Sequence, residues 1–127
     1  MVTKNKDTLT RKILIVDDDP DILQVMGLVL KREGYTSMPV FVGSEVISAA
    51  TEYKPDVILL DMLLSGVDGR FICQDLKNTN ATRKIPIIMI SAHPAAEQIS
   101  IEAGADDFIP KPFSIDLFIK SIEKHIS

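Results

Sequence analysis

Asp56-Val57-Ile58-Leu59-Leu60-Asp61 is an unbroken apolar run of strand length between two aspartates, and its reading decides the fold. A strand with one face in water alternates apolar and polar residues, whereas four successive large apolar side chains call for cover on both faces. Such strands belong to parallel sheets with helices packed on either side. Working outward, Ile85 to Ile90 repeats the pattern downstream and Lys12 to Val16 upstream. Two weaker runs, Thr36 to Phe41 and Asp106 to Ile109, bring the expected strands to five.

The segments between these runs carry helical period and helical punctuation. Asp21 to Glu33 stops at Gly34, and Ser44 can cap a helix reaching about Tyr53. Gly69 to about Asn78 and Ala95 to Ala103 fill the next gaps, the latter ending at Gly104. Ser114 can cap the last helix, in which Ile115, Phe118, Ile119, Ile122 and Ile126 recur at helical spacing. The expectation is an α/β fold, one doubly wound five-stranded parallel sheet with five helices. A polar lead-in over residues 1–11 precedes one domain over 12–127, with no repeat, linker or output domain in view.

Composition narrows the function. An apolar share of 46% is enough for one core. The formal charge of -4 and the pI near 5.1 offer no basic surface, so direct nucleic-acid binding is not expected. Cys73 is the only cysteine, which excludes an intrachain disulfide and suits a reducing, cytoplasmic setting. No apolar stretch approaches the roughly 18 to 20 residues of a membrane span, and the polar start lacks a signal-peptide core.

Ligands of open α/β sheets gather at the carboxyl ends of the strands. There the first strand ends in Asp17-Asp18-Asp19, the third in Asp61, the fourth in Ser91-Ala92, and the fifth runs into Lys111-Pro112. Clustered carboxylates repel one another and call for a proton or a cation. Magnesium, which takes oxygen ligands and keeps several waters, is the natural guest for Asp18, Asp61 and one backbone carbonyl. The Asp61 carboxylate could then attack a phosphoryl donor in line, with Lys111 and the Ser91 hydroxyl neutralising the transferred group. Each residue alone has a plainer reading: Asp19 as a helix cap, Lys111 as surface charge, Phe108 as core. Their joint arrival at one sheet edge from four strands favours a site.

With these residues in place the chain resembles the receiver domains of two-component response regulators, single-domain chemotaxis regulators among them, from about Lys12 to Ile126. The resemblance is carried by Ile13-Leu14-Ile15-Val16-Asp17-Asp18-Asp19-Pro20, by Asp56 to Asp61 with Asp68-Gly69, by Pro86 to Ala92, and by Gly104 to Phe113. It implies a flavodoxin-like strand order 2-1-3-4-5, with Asp61 as phosphoacceptor and Mg2+ as cofactor. Asp18 would touch the metal directly, Asp17 through water, and Leu63 through its backbone carbonyl. Ser91 and Lys111 would serve phosphoryl transfer, and Ser91 and Phe108 would form the switch. The Lys111-Pro112 bond is implied to be cis. Implied partners are a sensor histidine kinase or phosphotransfer protein, a downstream protein target on the face of the fourth helix, fifth strand and fifth helix, and a second copy in a phosphorylation-dependent homodimer.

Departures from the family pattern are local. Leu64-Ser65-Gly66 stands where many relatives carry a Met-Pro pair, so that loop is expected to be more mobile. The span from Ser91 to Gly104 is short, so the fourth helix should start late or lose half a turn. His93 reads as a loop histidine and Cys73 as packing. A magnesium-dependent phosphohydrolase with an aspartate nucleophile needs a second acid two residues on, where this chain has Leu63. A flavin carrier would find its phosphate repelled by Asp17-Asp18-Asp19. A phosphorylation-independent adaptor would have no use for the complete acceptor set.

Overall fold

The computed structural model describes residues 11–64 and 67–126. Its main elements are β1 (Lys12–Val16), α1 (Pro20–Arg32), β2 (Thr36–Val40), α2 (Val46–Tyr53), β3 (Val57–Asp61), α3 (Gly69–Asn78), β4 (Ile87–Ser91), α4 (Ala96–Glu102), β5 (Asp107–Pro110) and α5 (Ile115–His125), and Leu63–Leu64 pairs antiparallel with Val67–Asp68 between β3 and α3. The five strands form one parallel sheet in the order β2-β1-β3-β4-β5. That is the doubly wound order expected, with five helices. Among the described residues no helix is long and apolar enough to cross a membrane.

Alternation along the central strands supplies both faces with cores. Leu14, Ile58, Leu60, Ile87 and Met89 pack with Val46, Ala50, Ile72, Cys73, Leu76, Ala96 and Ala103, which places α2, α3 and α4 on one face. Ile13, Ile15, Val57, Leu59, Ile88 and Ile90 pack with Leu23, Met26, Leu30, Phe118, Ile119 and Ile122 of α1 and α5 on the other. Every residue of β3 and β4 is buried. At roughly 1.5 to 3 kcal/mol for each large apolar side chain removed from water, slipping either strand by one residue would misplace several such contributions.

Punctuation holds at most element ends. Asp19 caps α1, its side chain accepting from Asp21 N–H, and Ser114 caps α5 by accepting from Leu117 N–H. Gly34 and Gly104 take the positive φ angles, +92° and +99°, that a side chain would resist. Cys73 is fully buried in α3, where burial pushes its thiol up to about 11 and leaves it protonated. Helix α4 has seven residues and begins five positions after Ser91, one residue shorter at each end than the expected Ala95 to Ala103.

Ser44 is not a cap, contrary to expectation. It sits inside a 3-10 turn over Gly43–Glu45, and neither that turn nor α2 has a side-chain cap bond. The turn is set by packing: a Cβ on Gly43 would lie 3.1 Å from Ile72 Cδ1 and 3.2 Å from Val67. The strands also shift slightly from their expected bounds, β3 and β4 each running one residue further toward the site. Ser65 and Gly66, on which the expected loop mobility rested, lie outside the described residues, as do residues 1–10 of the lead-in.

Candidate functional site

Strand register assembles the site before any side chain is considered. Val16 pairs with Leu60, Asp61 with Ile90, and Ser91 with Pro110. The next residues along β1 and β5, Asp17 and Lys111, are therefore carried to the same carboxyl edge as Asp61 and Ser91. Backbone bonds continue the sheet past its strands, Asp17 N–H donating to the Val40 carbonyl and Lys111 N–H to the Ser91 carbonyl. The Lys111-Pro112 peptide is cis.

Carboxylate oxygens of Asp17, Asp18 and Asp61 lie within 4.8 Å of one another. Asp17 and Asp61 are buried, and Asp18 is half-buried. Burial is the main cause that raises the Asp17 carboxyl above its ordinary value, with the charges of Asp61 and Asp18 adding to it. The Asp19 N–H, donating to Asp17 Oδ1 at 2.9 Å, and the Lys111 charge oppose the rise. Three acids gathered where one of them resists ionisation make a donor set suited to a hard divalent cation.

Asp61 offers one oxygen to each side. Its Oδ2 lies 3.4 Å from Lys111 Nζ, and its Oδ1 accepts from Leu63 N–H at 3.3 Å. The buried Ser91 hydroxyl accepts from His93 N–H at 3.0 Å, so its own proton remains to be donated. His93 is an exposed loop residue whose Nδ1 accepts from Ala95 N–H, a local turn contact. Phe108 is half-buried and packs against the core layer that contains Met89, Ala96 and Ala103, while its N–H is held by Asp107 Oδ1.

Two neighbours of the site were not singled out by their sequence chemistry. Gly69 opens α3 with its N–H on the Met62 carbonyl at 2.7 Å, and a Cβ there would fall 2.6 Å from the Asp61 carbonyl oxygen. Only glycine lets the helix approach β3 this closely. Arg70 follows it, ion-paired at 2.9 Å with Asp68, the cap of α3. A cation in the first turn of a helix is the signal that could have drawn attention to it.

Residues 13–123 match the family model of the response regulator receiver domain. The chain belongs to that family. Among curated proteins this receiver domain is similar to the DNA-binding response regulator MtrA of Mycolicibacterium smegmatis, 37% identical over 109 residues, which is 84% of this chain and 46% of MtrA. It thus spans just under half the length of that relative. Among solved structures it is similar to the signal receiver domain of a signal transduction histidine kinase from Syntrophus aciditrophicus. That match has 31% identity and a TM-score of 0.84, covering 92% of this chain and 90% of the other. It is also similar to the receiver domain of sensor histidine kinase PA1611 from Pseudomonas aeruginosa, with 26% identity, a TM-score of 0.84, and coverage of 92% and 98%. The PA1611 domain holds a magnesium ion coordinated in its active-site cleft. This chain is therefore a receiver domain of two-component signal transduction, a family that works with histidine kinases and phosphotransfer proteins.

Proposed function

We propose that this receiver domain accepts one phosphoryl group on Asp61 from a phosphohistidine of a sensor kinase or phosphotransfer protein, and returns to its resting state by hydrolysis at the same centre. The observation that carries the reading is Asp61 itself, a buried carboxylate with an ammonium 3.4 Å away and two further acids beside it. Asp61 Oδ attacks phosphorus while the bond to the donor nitrogen breaks and its electron pair leaves with the imidazole, giving an acyl phosphate. Lys111 binds the phosphoryl oxygens as the carboxylate charge is spent, and Ser91 donates its hydroxyl proton to one of them. Asp18, Asp61 and the Leu63 carbonyl would hold Mg2+, with Asp17 acting through water, and the ion would neutralise charge on the phosphoryl oxygens and fix their orientation.

In this role the domain is a switch rather than a turnover enzyme. Ser91 drawn toward the phosphoryl group leaves space that Phe108, already half-buried, can fill, and the surface of α4, β5 and α5 changes with it. A few kcal/mol of differential contact is enough for such a shift. That surface is where a downstream protein, or a second phosphorylated copy, would dock. The domain bounds of 12–127 and a cytoplasmic location complete the reading, supported by the family match over 13–123 and by a single unpaired cysteine.

Incubation with acetyl phosphate and magnesium, followed by intact-mass measurement, tests the reading. One added phosphoryl group is expected, removed by hydroxylamine and absent from Asp61→Asn. Labelling of Asp61→Asn equal to wild type would refute the acceptor. Sustained turnover of a small phosphoester would point instead to a hydrolase.

A further inference from the structure

A cavity of about 200 Å3 lies between the loop after β3 and the loop after β4, lined by Met62, Leu63, Asp68, Arg70, His93 and Ile99. Two of its walls touch the site directly, because Leu63 N–H donates to Asp61 and His93 N–H donates to Ser91. Arg70 enters it from the first turn of α3, one residue after the glycine pressed against the Asp61 backbone. The helix dipole disfavours a cation at that position, so its presence needs another cause. The Phe71 ring, whose centroid lies 5.0 Å from the guanidinium carbon, and Asp68 supply only part of one. Asp68 Oδ2 accepts from Arg70 Nη2 at 2.9 Å, yet Arg70 Nε–H is buried with no hydrogen-bond partner among the described residues. A buried donor left unpaired is costly, and departures from local rules of this kind concentrate at functional sites.

We propose that Arg70 is a further anchor of the phosphorylated state: once Asp61 carries its phosphoryl group, the guanidinium turns from Asp68 to the phosphoryl oxygens. The inference rests on Asp61 being the phosphoacceptor. A phosphoryl group brings more negative charge than Asp68 and three strong acceptors, and the planar fork of arginine suits them. The Arg70 side chain is 41% exposed, so it can turn without repacking the core. Asp68 meanwhile keeps its second task, accepting Arg70 N–H at 2.9 Å as the cap of α3.

Beryllofluoride with magnesium mimics the phosphoryl group without needing a donor, and its affinity can be read by fluorine or amide NMR. Arg70→Gln should raise its Kd about tenfold, as expected for one charge-assisted contact, and Arg70→Lys should recover part of the loss. Asp68→Asn keeps a capping oxygen but removes the competing charge, so it should bind more tightly than wild type. A Kd for Arg70→Gln within about twofold of wild type, or Asp68→Asn weakening binding as much as Arg70→Gln does, would show Arg70 to be only a partner of Asp68. Should Arg70→Gln fold poorly, Arg70→Lys and Asp68→Asn decide on their own. Asp61→Asn separates the two readings: undiminished binding by that variant overturns the acceptor and the inference together. Its loss, with Arg70→Gln binding like wild type, overturns the inference alone.

Discussion

Lys111 Nζ stands 3.4 Å from Asp61 Oδ2, a long ion pair. Charge-assisted contacts commonly close to about 2.7 to 2.9 Å, so the lysine is held near the carboxylate without a tight bond to it. Its backbone is anchored more firmly, through the N–H on the Ser91 carbonyl at 3.0 Å. Lys111 therefore joins Asp61 to β5, the strand that carries Phe108. In Lys111→Ala, phosphorylation should persist at a reduced level while transmission fails. Beryllofluoride should shift amide signals around Ser91 and Phe108 in wild type and much less in the variant. Equal shifts in both would rule out the coupling.

Asp17 is expected to cost the metal-free protein stability. Burial first, then the charges of Asp61 and Asp18, raises its carboxyl above the ordinary value. A group that binds its proton more tightly when folded contributes stability that is present below its unfolded value and is lost as pH rises through the raised one, and its charged form is the costly one. Asn at this position keeps an oxygen for the Asp19 N–H but removes the charge. Without magnesium, Asp17→Asn should melt several degrees higher, on the order of 1 kcal/mol, and magnesium should stabilise it less than wild type. A lower melting temperature, with an unchanged magnesium response, would contradict both parts.

What the sequence made legible follows from how a parallel α/β sheet exposes its chemistry. Asp17, Asp61, Ser91 and Lys111 could be grouped in advance because each ends or follows an apolar strand, and parallel strands deliver their carboxyl ends to one edge. Asp19 and Ser114 were readable as caps because their task is satisfied within three residues. Ser44 failed as a cap because its neighbour Gly43 answers to Val67 and Ile72, which are distant in sequence. Gly69 was legible only as a helix start and as part of the family pattern. Its reason, the approach to the Asp61 carbonyl, depends on the path of a loop that no local period encodes. Arg70 was missed for the same cause, and Lys54 takes a left-handed φ of 53° at the end of α2 where glycine would be the usual sign.

A second pH dependence belongs to the start of β5. Burial alone would raise Asp107, but the His125 imidazole at 2.9 Å, the Phe108 N–H at 2.8 Å and the Lys124 ammonium at 3.2 Å outweigh it and hold the carboxyl below its ordinary value near 3.8. A depressed acid contributes stability that is present above its unfolded value and is lost as pH falls through the folded one. Asp107→Ala should therefore be less stable than wild type at pH 5, by about 1 kcal/mol for the lost hydrogen bonds. The difference should shrink as pH drops below about 3.8. Thermal melting across that range checks it, and a gap that widens on acidification would show the sign to be wrong.

Leu63 bears on how long the signal lasts. Its backbone N–H is fixed on Asp61 Oδ1 at 3.3 Å, while its side chain is 64% exposed and lines the cavity shared with His93. Hydrolysis of an acyl phosphate on Asp61 needs a water in line with phosphorus, opposite the carboxylate oxygen. A branched apolar side chain beside that approach offers the water no hydrogen bond, whereas an amide would hold and orient it. His93 is poorly placed to compensate, since its Nδ1 is engaged by Ala95 N–H and only Nε2 remains. The phosphorylated form is therefore expected to decay slowly, and Leu63→Asn to decay several-fold faster, roughly 1 kcal/mol in barrier. The exposure of Leu63 means the substitution leaves the core intact, so a change in decay cannot be ascribed to unfolding. Loss of radiolabel with magnesium saturating both proteins is the measurement, and equal or slower decay in Leu63→Asn would show that this side chain does not control the water.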